Sequence, residues 1–240
     1  MAITVFQHDE RGKPGRLGLT LRDHAFKLDI RRLDKGDPVP PDFDGVDAVI
    51  SLGAKANLDA GHAWIEKEAD FIREAHQRSL PVIGLCFGAQ MIAHALGGTV
   101  APMQRPEIGF VDVDLLPTAH TDTILSGIAW KSPQFQSHQQ EITELPPGAV
   151  HLARSQTCEH QAFKAGMRTY AFQYHFEADR TAIDTYIREE QTALHHVGLT
   201  TAEFNNDAER KYETFARLAD RLSVNIATYL IPKVATRIRA

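Results

Sequence analysis

The sequence predicts an α/β protein with an open, mostly parallel sheet and helices on both faces. In the N-terminal half, short apolar runs alternate with longer segments in which apolar residues recur at helical spacing. Parallel strands joined by crossover helices produce this alternation. A second observation is the pattern Gly-x-Cys-x-Gly around Cys86, which follows an apolar run and precedes a helix-forming segment. A strand, a sharp turn and a helix in that order are typical of a nucleophile elbow.

The N-terminal half is predicted to alternate regularly between strands and helices. The predicted strands are short apolar runs at residues 3–7, 27–31, 46–52 and 82–85. The predicted helices connect them and cover residues 16–25, 61–78 and 88–96. Gly97 and Gly98 end the last helix, because glycine takes up the left-handed conformation of a helix C-terminus without strain. In open α/β sheets, ligands bind at the carboxyl ends of the strands, and Cys86 follows directly after such an end.

The C-terminal half has a different character, with shorter segments and turns between them. Strands are predicted at residues 111–115, 151–153, 161–164 and 169–174, and residues 135–141 are predicted to form a polar loop. Two helical segments follow, and the second carries an apolar stripe, typical of core packing, at Phe215, Leu218, Leu222 and Ile226. No linker rich in Pro, Gly or Ser separates the halves. We therefore expect one domain over residues 1–240, with a core of about 1–180 and C-terminal helices at about 180–240.

Composition argues against several classes of function. The chain has 240 residues, of which 43% are hydrophobic and 24% charged, as in ordinary globular proteins. Its net charge of −5 gives no basic surface for nucleic acid. No apolar run reaches the length of a membrane span, and the N-terminus turns polar too early for a signal peptide. Cys86 and Cys158 are too few for a disulfide framework, so we expect a reducing, cytoplasmic location.

Cys86 is the candidate nucleophile. A β-carbon at either flanking glycine, Gly84 or Gly88, would crowd the sharp turn that the pattern predicts. The position also lies at a helix N-terminus, where the aligned backbone dipoles favour the negative charge of a thiolate. The alternative is a buried structural cysteine, which is what most cytosolic cysteines are. The flanking glycines favour the nucleophile over that alternative.

A cysteine nucleophile needs a base, and the base needs a group that orients it. Among the 12 histidines, His175 is the best candidate because it ends a predicted strand and precedes Glu177 by two positions. Alternate residues of an extended chain point the same way, so the Glu177 carboxylate is expected beside the His175 ring. His138, in the polar segment 135–141, is a second histidine that could line a pocket. The histidines are scattered and show no metal-binding spacing, so we expect neither a metal nor a cofactor.

Three segments together resemble the class I glutamine amidotransferases, whose glutaminase site is a Cys-His-Glu triad. Residues 84–90 are similar to the family's Gly-x-Cys-x-Gly-x-Gln signature, and residues 173–177 resemble its Gln-Phe-His-Pro-Glu. Ser137 and His138 resemble the Ser-His pair that lines the glutamine pocket. Residues 161–163 and the N-terminal segment resemble stand-alone members that are similar to the glutaminase domain of GMP synthetase. The resemblance covers about residues 1–180 and implies the flavodoxin-like fold of that family.

The resemblance implies a role for each matching residue. Cys86 would attack the side-chain amide of glutamine to give a γ-glutamyl thioester and ammonia, His175 would transfer the protons, and Glu177 would orient His175. Backbone N–H groups would form the oxyanion hole, and three side chains would contact the substrate. The implied residues are Gly53 and Phe87 for the oxyanion, and Gln90, Ser137 and His138 for the substrate.

The chain departs from the family pattern at several places. Leu52 and Ala54 replace the first Gly and the Pro of the oxyanion loop, and Phe176 replaces the Pro between His175 and Glu177. The Gly-Asp that follows Ser-His in the related pattern is also absent. These changes remove no triad group, but they leave the identity of the amide substrate open.

The acceptor of the ammonia is open as well. The residues after Glu177 are too few for a synthetase domain, and no P-loop pattern is present. One interpretation is that the ammonia passes to a separate synthase subunit. The alternatives are a γ-glutamyl amine or peptide hydrolase with the same triad, and a non-catalytic regulatory homologue. The substrate in either enzyme is a small molecule, glutamine or a γ-glutamyl compound, with no role for nucleic acid or a membrane.

Overall fold

The computed structural model describes residues 1–231, apart from the side chain of His196. The end of the predicted C-terminal helical region, 232–240, lies outside the described residues. The strands are β1 (Ala2–Gln7), β2 (Leu28–Arg32), β3 (Val46–Ser51), β4 (Val82–Leu85), β5 (Thr99–Leu115), β6 (Lys131–Glu144), β7 (Val150–Arg154), β8 (Ala162–Ala165) and β9 (Thr169–Phe172). The helices are α1 (Gly15–Asp23), α2 (Ile65–Gln77), α3 (Phe87–Ala95), α4 (Arg180–Glu189), α5 (Gln191–His196) and α6 (Thr201–Asn225).

The strands form one open sheet of nine strands in the order β2-β1-β3-β4-β9-β8-β7-β5-β6. From β2 to β9 every neighbouring pair is parallel, and from β9 to β6 every pair is antiparallel. The predicted α/β fold class is confirmed, and the long β5–β6 hairpin completes the sheet. Among the described residues, none of the helices is both long enough and apolar enough to cross a lipid bilayer.

Side chains that alternate along the parallel strands build two separate cores, one on each face of the sheet. On β3, Ile50 lies in the core that also contains residues of α1, α4 and α6. Its neighbour Val49 lies in the other core, together with residues of α2 and α3. Buried parallel strands covered by helices on both faces read as continuous apolar runs, which is how the sequence presents β1, β3 and β4. Three residues of the predicted apolar stripe, Phe215, Leu222 and Ile226, are buried in the first core, and Leu218 is buried as well.

The observed structure of the C-terminal half corrects three predictions. Residues 135–141, expected as a polar loop, lie inside β6, where buried polar side chains alternate along one face. The strand expected over 169–174 ends at Phe172, so His175 follows a short turn and does not end the strand. Three helices, not two, follow Glu177 within the described residues, because the chain bends at Glu190 between α4 and α5.

Candidate active site

Cys86 lies in a strained turn between β4 and α3. Its backbone has φ +51° and ψ −106°, outside the regions that ordinary residues occupy. A β-carbon at Gly84 would lie 2.4 Å from the Gly88 carbonyl oxygen, and one at Gly88 would lie 2.0 Å from the Ser51 carbonyl oxygen. Neither distance is compatible with a side chain. The glycine pattern therefore has a steric cause, and the turn presents Cys86 at the carboxyl end of the central strand.

The thiol of Cys86 is almost covered and sits at the start of α3. The residue is 4% exposed, and its Sγ lies 3.9 Å from the Ser137 carbonyl oxygen on β6. Phe87 is the first residue of α3, and the first N–H groups of a helix have no partner within the helix. The Phe87 N–H therefore belongs to a set of free donors directly beside the sulfur.

His175 and Glu177 form a hydrogen-bonded pair beside Cys86. The His175 Nδ1 lies 2.7 Å from the Glu177 Oε1, and the carboxylate is buried. The backbone holds both residues in place, because the His175 N–H donates to the Phe135 carbonyl at 2.9 Å and the Glu177 carbonyl accepts from the Arg16 N–H at 2.9 Å. Since Nδ1 faces the carboxylate, the other ring nitrogen is free to serve the thiol.

The charges around His175 favour its protonated form. Burial works to lower the pKa of His175, but the negative charges of Glu177 and Cys86 and the hydrogen bonds to both raise the pKa well above its usual value. An imidazolium beside the sulfur stabilises a thiolate, which is the reactive form of cysteine. The three side chains are thus arranged as nucleophile, acid-base group and orienting carboxylate.

Gly53 touches both reactive side chains. A β-carbon at Gly53 would lie 2.8 Å from His175 Cε1 and 3.6 Å from Cys86 Cβ. We call residues 51–54 the oxyanion loop. Leu52 of this loop is fully buried, and its N–H donates to the Phe6 carbonyl at 3.1 Å. The structure therefore places Gly53 beside Cys86 and His175, and Phe87 directly after Cys86 at the start of α3.

The predicted substrate-binding residues occupy different surroundings. The carbonyl of Ser137 faces the Cys86 sulfur. Gln90 is buried, and its Nε2 donates to the Gln140 carbonyl at 3.1 Å and to Gln173 Oε1 at 3.2 Å. His138 follows Ser137 on β6, and its ring nitrogens face Glu107 and the Gln140 carbonyl. Contact of Gln90, Ser137 and His138 with a substrate stays a prediction.

Sequence reasoning missed Glu107, a buried carboxylate that pairs with His138. The His138 Nε2 lies 3.1 Å from Glu107 Oε2, and the His138 Nδ1 lies 2.9 Å from the Gln140 carbonyl. The carboxylate also accepts hydrogen bonds from the side chains of Ser155, Thr157 and Gln161. Burial tends to raise the pKa of Glu107, but the hydrogen bonds from His138, Ser155 and Thr157 lower it below its usual value.

Glu107, His138 and Cys158 also offer three metal-ligating atoms within 4.8 Å of one another. This cluster is separate from Cys86, His175 and Glu177. The Glu107 oxygens already accept four side-chain hydrogen bonds. A carboxylate so satisfied serves the structure of the sheet rather than a metal ion.

Asp9 is a second residue that sequence reasoning missed. Its carboxylate accepts hydrogen bonds from the N–H groups of Arg11 and Gly12, both at 2.8 Å, and of Lys55 at 2.9 Å. It thereby ties the loop after β1 to the residue after the oxyanion loop. Arg11 and Lys55 in turn form ion pairs with Glu190 at the junction of α4 and α5. The signal in the sequence is an Asp three residues before a Gly, which is typical of a turn closed by its own side chain.

The sequence model of the family described as "Glutamine amidotransferase class-I" matches residues 21–193. The chain belongs to this family. Two curated relatives are named as glutamine-hydrolyzing subunits of GMP synthase. That of Pyrococcus abyssi is 36% identical over 162 residues, which cover 66% of this chain and 85% of the relative. That of Methanosarcina mazei is 29% identical over 162 residues, with 66% and 82% covered.

Solved structures of class I glutamine amidotransferases share the fold along almost the whole chain. A glutamine amido transferase from Methylobacillus flagellatus superposes with a TM-score of 0.85 at 25% identity, covering 93% of each chain. A glutamine amidotransferase from Thermotoga maritima superposes with a TM-score of 0.83 at 21% identity, covering 95% of this chain and 98% of the other, which shows the fold alone. The predicted family is confirmed, and with it the class of enzyme.

Proposed function

We propose that this class I glutamine amidotransferase hydrolyses the side-chain amide of glutamine, with Cys86, His175 and Glu177 as its catalytic triad. The observation that carries the proposal is the strained turn that holds Cys86 beside a hydrogen-bonded histidine and carboxylate. Strained backbone concentrates at functional sites, and a merely structural cysteine needs no such turn. Family membership favours glutamine hydrolysis over the γ-glutamyl hydrolase and the non-catalytic homologue.

The proposed reaction has two steps. The Cys86 thiolate attacks the amide carbon of glutamine, and the tetrahedral intermediate expels ammonia as the C–N bond breaks and the nitrogen takes a proton from His175. A γ-glutamyl thioester remains on the sulfur. His175 then removes a proton from water, the resulting hydroxide attacks the thioester carbon, and glutamate leaves as the C–S bond breaks. Glu177 keeps the ring oriented and stabilises its positive charge in both steps.

Backbone donors are proposed to stabilise the negative oxygen of both tetrahedral intermediates. The proposed donors are the N–H groups of Gly53, which lies beside Cys86 and His175, and of Phe87, the first residue of α3. A preorganised donor of this kind lowers the barrier by about 2.7–4 kcal/mol. Gln90, Ser137 and His138 are proposed to contact the glutamine, with the Ser137 carbonyl nearest the sulfur.

A separate synthase subunit is proposed to accept the ammonia. Support comes from the curated relatives, whose names describe glutamine-hydrolysing subunits of GMP synthase. The same proposal covers the reaction in which that synthase subunit would use the ammonia. We also propose that residues 1–240 form one domain. A reducing, cytoplasmic location is proposed as well, and the two free cysteines support it.

The test is release of ammonia and glutamate from glutamine by the purified chain. Wild type is expected to release both in equal amounts, and Cys86→Ala is expected to release neither while keeping the same fold by circular dichroism. Intact mass after incubation with a glutamine analogue that carries an electrophile should show one adduct on wild type and none on Cys86→Ala. Equal turnover by wild type and Cys86→Ala would refute the assignment of the nucleophile.

A further inference from the structure

Glu68 is a fully buried carboxylate that lies behind the oxyanion loop. It belongs to the inner face of α2, where its neighbours are apolar, and it is 0% exposed. One oxygen accepts a hydrogen bond from the Ser51 hydroxyl at 2.6 Å. The other lies 2.7 Å from His8 Nε2 on the segment after β1. A carboxylate costs several kcal/mol to bury unless partners of this kind compensate for the loss of water.

Both partners of Glu68 lie close in the chain or in space to the residues proposed to hold the oxyanion. Ser51 is the last residue of β3 and stands two positions before Gly53. The carbonyl of Ser51 also packs directly on Gly88 in the first turn of α3. The ring of His8 lies 4.9 Å from the ring of Phe87, centroid to centroid. Glu68 is therefore bonded to the oxyanion loop on one side and to a contact of Phe87 on the other.

A second aromatic contact fixes the His8 ring. The indole of Trp64 lies 4.9 Å from His8 and 5.8 Å from Phe87, centroid to centroid, so the three rings pack against one another. The His8 side chain is fully buried. The carboxylate of Glu68 thus bonds to a ring that has little freedom to move, and it transmits that rigidity to Ser51.

We propose that Glu68 is a positioning residue that sets the distance between the oxyanion loop and Cys86. It touches neither substrate nor sulfur, and it acts through Ser51 on Gly53 and through His8 on Phe87. This inference rests on the proposed function, because it concerns the same oxyanion hole. It goes beyond that function in naming the buried side chains that hold the hole in shape.

The inference predicts a selective defect. Loss of the Ser51–Glu68 bond is expected to displace the Gly53 backbone. A displacement of up to about 1 Å lowers the rate of reactions that pass through a tetrahedral oxyanion by about 10- to 100-fold. With glutamine, kcat is expected to fall by that factor while KM stays unchanged. Attack of the Cys86 sulfur on a saturated carbon forms no oxyanion, so its rate is expected to be unchanged.

The experiment compares two reagents on Cys86. With p-nitrophenyl acetate, the thiolate attacks the ester carbonyl, p-nitrophenolate leaves and an acetyl thioester remains on sulfur; no glutamine pocket is required. With iodoacetamide, the sulfur displaces iodide directly. Glu68→Gln and Ser51→Ala are each expected to be acylated about 10- to 100-fold more slowly than wild type and alkylated at the wild-type rate. The double variant is expected to lose no more than Glu68→Gln alone, because the Ser51 hydroxyl acts only through its bond to Glu68.

Glu66→Gln is the matched control. Glu66 lies on the same helix, is exposed to solvent, and bonds to His94 at 3.1 Å on the surface. Its variant is expected to match wild type with both reagents and with glutamine. Circular dichroism and urea denaturation establish that each variant is folded under the assay conditions, and Ser51→Ala decides the question if Glu68→Gln does not fold.

The outcomes separate this inference from the proposed function. If the wild-type protein is acylated by p-nitrophenyl acetate but releases no ammonia from glutamine, glutamine is not its substrate. The acylation rates would still test the positioning role of Glu68. Acylation of folded Glu68→Gln and Ser51→Ala at the wild-type rate would overturn the inference. Equal losses with both reagents would also overturn it, because they would trace the defect to the thiol. A wild-type protein that iodoacetamide alkylates but p-nitrophenyl acetate never acylates would also overturn the inference.

Discussion

The strain at Cys86 makes a prediction about stability that is independent of activity. With φ at +51° and ψ at −106°, the residue lies outside the region that L-residues reach in left-handed turns. A conformation of this kind costs about 1–3 kcal/mol in any residue with a β-carbon. Glycine adopts it freely, but glycine loses about 0.5–1 kcal/mol more conformational entropy on folding than alanine. Cys86→Gly is therefore expected to be more stable than Cys86→Ala by about 1 kcal/mol.

Urea denaturation of the two variants measures this difference. Both lack the thiol, so the comparison isolates the β-carbon in the strained turn. The expected result is a higher midpoint for Cys86→Gly with the same dependence on denaturant. Ala93→Gly in the interior of α3 is the control, and it is expected to lose more than about 1 kcal/mol, because the loss of a buried methyl group adds to the helix penalty of glycine. A Cys86→Gly that is no more stable than Cys86→Ala would show that the turn stores no strain.

Three further predictions concern the site and its supports. Gly53→Ala places a β-carbon 2.8 Å from His175 Cε1, so kcat should fall about 100-fold. The control is Gly36→Ala, whose β-carbon meets no atom within 4 Å and which should keep wild-type turnover. A Gly53→Ala variant with wild-type activity would contradict the contact. Glu177→Gln should slow turnover less than His175→Ala does, because Glu177 orients the ring and does not transfer the proton. Since the charge of Glu177 helps to raise the pKa of His175, the alkaline limb of the pH–rate profile should move to lower pH in Glu177→Gln, and an unchanged limb would argue against this. The pKa of Glu107 is lowered in the folded protein, so its ionised form stabilises the fold at any pH above the pKa of the unfolded chain, about 4.3. This stabilisation is lost as the pH falls through the pKa of the folded protein. Glu107→Gln should therefore be less stable than wild type by about 3 kcal/mol at pH 7. Thermal denaturation should show that gap closing in acid, and a gap independent of pH would refute the ionised Glu107 carboxylate.

The parts of the fold that the sequence predicts well are those with local causes. The strand β4 has the predicted bounds, and α3 begins within one residue of its prediction, because Gly84 is required by its contact with the Gly88 carbonyl in the same turn. The burial of an apolar stripe on α6 likewise follows from its spacing alone. In these cases the residues from which an element is predicted also make the contacts that stabilise it.

The strand β6 was missed because its partners are far away in the chain. Its inward side chains are polar, and some of them bond to residues far away in the chain, as when Gln136 donates to Gln161 at 2.9 Å and His138 pairs with Glu107. A stretch of buried polar residues looks like a loop when the partners are not known. The same reason explains why Glu107 drew no attention, since one carboxylate in a sequence gives no sign that it will be buried.

Long-range pairing also decides how the proposed triad comes together. The strands β4 and β9 are parallel neighbours, with Leu85 opposite Phe172, and the Cys86 N–H donates to the Phe172 carbonyl at 2.8 Å. Cys86 and His175 therefore leave the same edge of the sheet side by side. The two-residue spacing of His175 and Glu177 correctly predicted their contact, although a turn and not a strand produces it.

The presence of Leu52 in place of the family's glycine is explained by the two faces of the sheet. Successive residues of an extended chain point to opposite faces, so Ser51 turns toward α2 and bonds to Glu68, while Leu52 turns into the core on the other side. A glycine in place of Leu52 would anchor only one side of the loop. In this chain the loop is held from both faces immediately before Gly53. Any rearrangement of Gly53 would have to break a buried hydrogen bond and withdraw a buried leucine together, so we expect the oxyanion hole to be formed before the substrate binds.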